Sequence, residues 1–259
     1  MNIAIITGAS SGMGREFVKQ ITAYEKQLDE IWVIARRKER LEELQKEVSC
    51  KLRIMEGDLL DQRFLAKLED TLITEEPNVR VLVNSAGFGK NGSMVDILKA
   101  DRNSQPQMVE LNCHVLLQLI QIVLPYMKGN NHILNLSSGS AFCPQPYFSV
   151  YAATKAFVLS LSRGIAAELK DQEIYVTAVC PGPVQTEFFL QEGMQVAAWK
   201  EPFLTSAELV VKKALKDAYK NKTISVYGFS MNMMRILMKI LPKSLFIFIT
   251  RILQKRMNK

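Results

Sequence analysis

The chain has 259 residues, 48% hydrophobic and 23% charged, with 33 Lys and Arg against 26 Asp and Glu. Length and balance fit one α/β domain with a sizeable core and no repeat or low-complexity segment. Cys50, Cys113, Cys143 and Cys180 form no C-x-x-C pair and His114 and His132 are the only histidines, which argues against a zinc site, a disulfide scaffold and His-based hydrolysis.

From the N-terminus, Asn2–Thr7 is a short apolar run rich in β-branched residues and predicts a buried strand. It leads into Gly8-Ala-Ser-Ser-Gly-Met-Gly14 and then a helical pattern, the context a dinucleotide site requires. Gly8 suits the tight turn, Gly12 the approach of a pyrophosphate and Gly14 close helix–strand packing. Ser10 and Ser11 add hydroxyl donors, and the helix N-terminus adds N–H groups for an anion. Further strands are predicted at 31–35, 52–56, 79–83, 131–137, 173–179 and 223–227, and helices at 14–27, 38–49, 61–75, 104–128, 149–170 and 205–221. The alternation predicts a doubly wound parallel sheet with helices on both faces. Gly8, Arg36, Asp58, Asn84, Ser138 and Pro181 each follow a strand, so all six are expected along one edge of the sheet. On the helix at 149–170, Tyr151 and Lys155 stand one turn apart on one face. A cation favours the phenolate and lowers its pKa, so the pair suits proton transfer at a C–O bond.

In order along the chain, these motifs resemble the short-chain dehydrogenase/reductase family, in its single-domain branch with a T-G-x-x-x-G-x-G opening. Thr7–Gly14, with Met13 inside it, resembles the cofactor turn; Asp58-Leu59 resembles the adenine contact; Asn84-Ser85-Ala86-Gly87 resembles the N-x-A-G segment. Asn112 is similar to the family's relay asparagine, and Ser138, thirteen residues before Tyr151, to its catalytic serine. Pro181 and Gly182, with Val184 and Thr186, resemble the loop beside the nicotinamide. The resemblance covers about residues 1–228. It implies a Rossmann fold with seven parallel strands in the order 3-2-1-4-5-6-7. It also implies that Tyr151 is the acid in reduction and the base in oxidation. Lys155 would lower the Tyr151 pKa and bind the nicotinamide ribose, Ser138 would polarise the substrate oxygen, and Asn112 would complete a proton path through water. Ser137 is an alternative to Ser138, with spacing in favour of the latter.

The second strand ends in Arg36-Arg37, where an NAD site usually has an acid. A guanidinium binds a 2′-phosphate that a carboxylate would repel, so NADP(H) is expected, with Arg36 the main ligand and Ser11 or Arg37 assisting. In 186–204, Phe188, Phe189, Met194 and Trp199 are expected to present an apolar surface to substrate, joined by Cys143 and Tyr147 from between the serine and the tyrosine. No Arg or Lys lies between 138 and 154 to hold an acidic substrate. An apolar ketone or alcohol, acyl-chain or steroid-like, is therefore expected. An idle NADP-binding interaction protein, a reductase of a small polar ketone and an epimerase or dehydratase are the alternatives.

The net charge of +7 is local: residues 229–259 hold seven Lys and Arg and no Asp or Glu, so residues 1–228 balance to zero. No nucleic-acid motif accompanies the charge. The tail reads as two basic amphipathic helices interrupted at Pro242, with Asn232, Arg235 and Lys239 on one face of the first. Its uncharged runs are too short to span a bilayer. It is expected either to lie on an anionic membrane or to cover the substrate mouth or a subunit partner. The N-terminal apolar run lacks a secretory pattern. A cytoplasmic protein, membrane-associated if the tail binds lipid, is expected, and family resemblance implies a homo-oligomer through the helices at 104–128 and 149–170.

Overall fold

The computed structural model describes residues 1–190 and 204–255. Six strands follow the predicted alternation: β1 (Asn2–Thr7), β2 (Glu30–Ala35), β3 (Lys51–Glu56), β4 (Asn78–Asn84), β5 (Asn131–Leu136) and β6 (Ile174–Val179). Val184–Gln185 (β7) and Thr205–Ser206 (β8) pair as a separate two-stranded ribbon, and Ile224–Ser225 (β9) completes the main sheet. The seven-stranded sheet runs β3-β2-β1-β4-β5-β6-β9, every pairing parallel, which is the expected order. The expected strand at 223–227 keeps two ladder residues, opposite Ala178 and Val179.

Strand alternation divides the core between the two faces. Ala4, Ile6, Ile31 and Val33 face one cluster with Phe17, Leu41 and Leu215, from helices α1 (Gly12–Gln20), α2 (Lys38–Gln45) and α9 (Ala207–Ala218). Ile3, Ile5, Trp32 and Ile34 face the other, with Leu68, Leu119 and Val158. Those last three come from α3 (Gln62–Glu75), α6 (Leu116–Val123) and α7 (Ser149–Glu168). The inner strands β1, β2, β4, β5 and β6 are buried on both faces, as strands between helical layers are, while the edge strand β3 is only partly covered. Local chemistry sets several helix starts: Asp61 caps α3 by accepting from the Arg63 N–H at 3.0 Å, and Ser206 caps α9.

The expected helix at 104–128 is interrupted. After the short α4 (Met94–Ala100), α5 (Ser104–Val109) passes into a π-helical turn, Glu110–Val115, before α6. Such turns gather at functional positions, and this one carries Asn112. The chain ends in α8 (Glu187–Leu190), α9, α10 (Phe229–Ile240) and α11 (Lys243–Lys255).

Candidate active site

The inward stripe of α7 is Tyr151, Lys155, Val158, Ser162 and Ala166, all buried. A helix with this spacing belongs against the core, yet its first two members are ionisable. Burying such groups is costly unless they serve the chemistry of a site. Burial pushes the Tyr151 phenol up to about 12, against a smaller downward pull from the hydrogen bond with Ser138. Burial lowers the Lys155 ammonium to about 8. Its Nζ donates to the Leu136 carbonyl oxygen at 2.8 Å and lies 5.6 Å from the Tyr151 ring centroid. Sequence reasoning expected Lys155 to hold the phenol below its ordinary value. Burial dominates at Tyr151 instead, and the opposing pull comes from Ser138.

The two candidate serines separate. The Ser137 hydroxyl donates to the Lys155 carbonyl oxygen at 2.8 Å and so pins β5 to α7. Ser138 lies beside the phenol, and its Oγ accepts the Ser140 N–H at 3.1 Å, opening the 3₁₀ turn Gly139–Phe142. Asn112 clamps the loop after β4: its Oδ1 accepts the Phe88 N–H at 3.2 Å and its Nδ2 donates to the Phe88 carbonyl oxygen at 2.9 Å. The same amide donates to Thr154 Oγ1 at 3.2 Å. A Cβ on Gly87 would stand 2.7 Å from Asn112 Oδ1 and 3.5 Å from Lys155 Nζ, so the glycine lets both side chains border one point. Asn84 is buried and donates to Asn135 Oδ1 at 2.9 Å, while Asn135 in turn donates to Ser162 Oγ at 2.9 Å. That chain braces β4, β5 and α7 beneath the site. The Ala86 N–H donates to Thr7 Oγ1 at 3.1 Å, holding the loop after β4 against β1.

At the glycine turn, a Cβ on Gly14 would overlap the Gly8 carbonyl, so glycine permits the approach of α1 to β1. Ser11 occupies the N-cap of α1 without a side-chain cap bond. Its hydroxyl instead accepts from Arg37 at 2.9 Å, and Ser10 accepts from the same guanidinium at 3.1 and 3.3 Å. Arg37, expected only to assist, thus reaches the turn. The Arg36 side chain is 74% exposed and sits 3.8 Å from Asp58. Asp58 accepts the Leu60 N–H at 3.0 Å, and Leu59 is buried in the core. Glu187, at the start of α8, pairs with Arg37 at 3.0 Å and with Arg40. Those guanidiniums hold its carboxyl below the usual range, with Arg40 the larger cause. The uncapped helix N-terminus, two hydroxyls and a cluster of guanidiniums form a donor set suited to a phosphorylated dinucleotide.

A cavity of about 390 Å³ gathers these parts. Ser138, Tyr151 and Lys155 meet in its wall with Met13, Gly87, Pro181, Gly182, Val184 and Thr186. Phe188 lines it as expected, its ring centroid 5.6 Å from that of Tyr151. Cys143 is buried but off the wall, and Tyr147, held at φ 63°, does not line the cavity either. The neighbouring Phe148 takes that position and stacks on Tyr151 at 4.3 Å between centroids. The Phe189 side chain, Met194 and Trp199 lie outside the described residues. Sequence reasoning did not assign Met231, Met234, Met238 and Phe246, which α10 and α11 bring to the wall. The 231-234-238 methionine spacing was the available signal.

A family model for short chain dehydrogenases matches residues 2–196. The NADP-dependent 3-hydroxy acid dehydrogenase of Escherichia coli is 31% identical over 189 residues, which are 72% of this chain and 74% of that enzyme. A short-chain dehydrogenase from Sphingobium yanoikuyae in complex with NADPH aligns with a TM-score of 0.78 at 28% identity, covering 93% of this chain and 97% of that one. The bulky-bulky ketone specific alcohol dehydrogenase from Comamonas testosteroni aligns at 0.73 and 26% identity, covering 93% and 95%. With its sheet order, its glycine turn and its buried tyrosine and lysine, the chain belongs to the short-chain dehydrogenase/reductase family of oxidoreductases.

Proposed function

We propose that this protein is an NADP(H)-dependent oxidoreductase that interconverts an apolar ketone and its alcohol. The carrying observation is the meeting of a phenol, a hydroxyl and a buried ammonium on the wall of a cavity that also carries Met13, Met231, Met234, Met238, Phe148, Phe188 and Phe246 among smaller Ser, Gly and Pro residues. When bound, the nicotinamide supplies the hydride. The chain's own groups do the rest. Arg37 and Ser11 would hold the 2′-phosphate, and the free N–H groups of the α1 N-terminus would bind the pyrophosphate. Ser138 donates a hydrogen bond to the substrate oxygen, and Tyr151 delivers its proton to the same atom. The Lys155 ammonium stabilises the charge left on the phenol, and Asn112 fixes the Phe88 loop that encloses them.

A neutral substrate suits the wall, on which Lys155 is the one cation among the described residues. The bulky ketone named for the Comamonas testosteroni enzyme agrees with that reading. A screen of NADPH oxidation across ketones of graded chain length and ring number, each paired with a carboxylated analogue, tests it. Rates that climb with apolar size support the proposal, and a consistent preference for the carboxylated or small polar compounds refutes it.

A further inference from the structure

Helix α10 turns the first part of its polar stripe inward, while Lys239 at its end stays exposed. Asn232, on the face it shares with Arg235 and Lys239, donates to the carbonyl oxygens of Val226 at 3.2 Å and Gly228 at 2.8 Å. Arg235 is half-buried. What faces outward is apolar: Phe229 is 81% exposed, Ile240 75% and, on α11, Phe248 61%, with further large hydrophobics between them. Exposed large apolar side chains gathered on two consecutive helices in this way mark an interaction site. Lys239, Lys243 and Arg251 are exposed among these side chains, and the whole segment 229–259 contains no acid. The same two helices wall the cavity from within, and Ile249 does both, lining the cavity while 44% exposed.

We infer that the outer face of α10 and α11 docks on an anionic lipid bilayer, and that the apolar substrate reaches the cavity from that bilayer past Ile249. The substrate half rests on the ketone reading above; the docking half does not. Charge decides the occupant. Cations interleaved with apolar side chains match a surface of anionic headgroups over acyl chains. A second copy seated on the same face would bring cations against cations with no carboxylate to pair them, because a two-fold interface repeats one patch on both sides.

The experiment uses the full chain with vesicles of phosphatidylcholine, alone or mixed equally with phosphatidylglycerol, read by flotation. The wild type should float with the anionic vesicles, at least tenfold less with the neutral ones, and less as salt rises. A variant with Lys239→Glu, Lys243→Glu and Arg251→Glu, and another with Ile240→Ser and Phe248→Ser, should each lose at least tenfold in binding. Both should reduce a water-soluble ketone at the wild-type rate, which shows that they fold. Both should fall at least fivefold on a long-chain ketone dissolved in the anionic vesicles. A wild type that does not float, or variants that float unchanged, overturn the docking. So does a dimer in light scattering that Ile240→Ser with Phe248→Ser splits without any vesicle binding. Docking with equal variant and wild-type rates on the dissolved ketone overturns the delivery route. Tyr151→Phe should float normally, so loss of turnover is read separately from loss of docking.

Discussion

The guanidinium of Arg37 donates to the Ser11 hydroxyl at 2.9 Å, joining the end of β2 to the glycine turn across 26 residues. This link places a cation beside the α1 N-terminus, while Arg36 faces Asp58 and solvent. Charge-assisted hydrogen bonds contribute about 1.5–3 kcal/mol each. Arg37→Ala should therefore weaken NADPH binding by roughly ten- to a hundredfold and leave NADH within a few fold, with Arg36→Ala milder. Glu187 competes for the same guanidinium, so Glu187→Gln should tighten NADPH and not NADH. Fluorescence titration with both cofactors checks all three, and parallel losses for the two cofactors contradict the assignment.

The Gly87 position tests how closely the parts of the site are fitted. A methyl there meets Asn112 Oδ1 at 2.7 Å, and the atom it crowds holds the Phe88 backbone. Overpacking of this kind costs about 1–3 kcal/mol. Gly87→Ala should lower kcat by at least tenfold while the chain stays folded, as read by circular dichroism and steady-state rates.

Much of this arrangement was legible beforehand because it is local. The β1 run, the glycine turn and the Tyr151–Lys155 spacing each depend on a few neighbouring residues, and alternation of short elements predicts a parallel doubly wound sheet, whose strand order the family resemblance implied. The less legible parts depend on direction and context. Whether Arg36 or Arg37 turns toward the glycine turn is set by side-chain orientation past the strand end. Leu59 is buried by its packing in the core with Trp32, and the Asn84 amide is bonded to Asn135, which no motif records. The stripe of Asn232, Arg235 and Lys239 marks one face of α10 but not which way it points; the Val226 and Gly228 carbonyls draw Asn232 inward.

Lys155 sets an upper pH limit. Burial holds its ammonium at about 8, so the charge that stabilises the departing proton's site is present below that pH and lost above it. The free-enzyme quantity kcat/KM for NADPH in ketone reduction should fall as pH rises through about 8. A rate that stays level to pH 10 or so, where Tyr151 still holds its proton, contradicts this role.

His132 makes the fold sensitive to acid. It is buried against the rings of Tyr175 and Tyr219, and burial first, then the Arg80 charge, lower it to about 4. The unfolded chain, with an ordinary histidine near ~6.5, binds the proton first. Stability is therefore complete above about 6.5, declines as pH falls toward 4 and levels below it. The loss from this group is roughly 3 kcal/mol at most. Urea unfolding at pH 7 and 5 should show a steeper decline for the wild type than for His132→Phe, and equal slopes refute the assignment.

The most direct measurement is turnover by Tyr151→Phe. With NADPH and the best apolar ketone, the variant should lose about 10²–10⁴ in kcat, because the ring stays against Phe148 and Phe188 while the proton donor is gone. Its NADPH dissociation constant should stay within a few fold of the wild type. Turnover near the wild-type rate would mean that the proton comes from elsewhere and that the phenol is only part of the cavity wall.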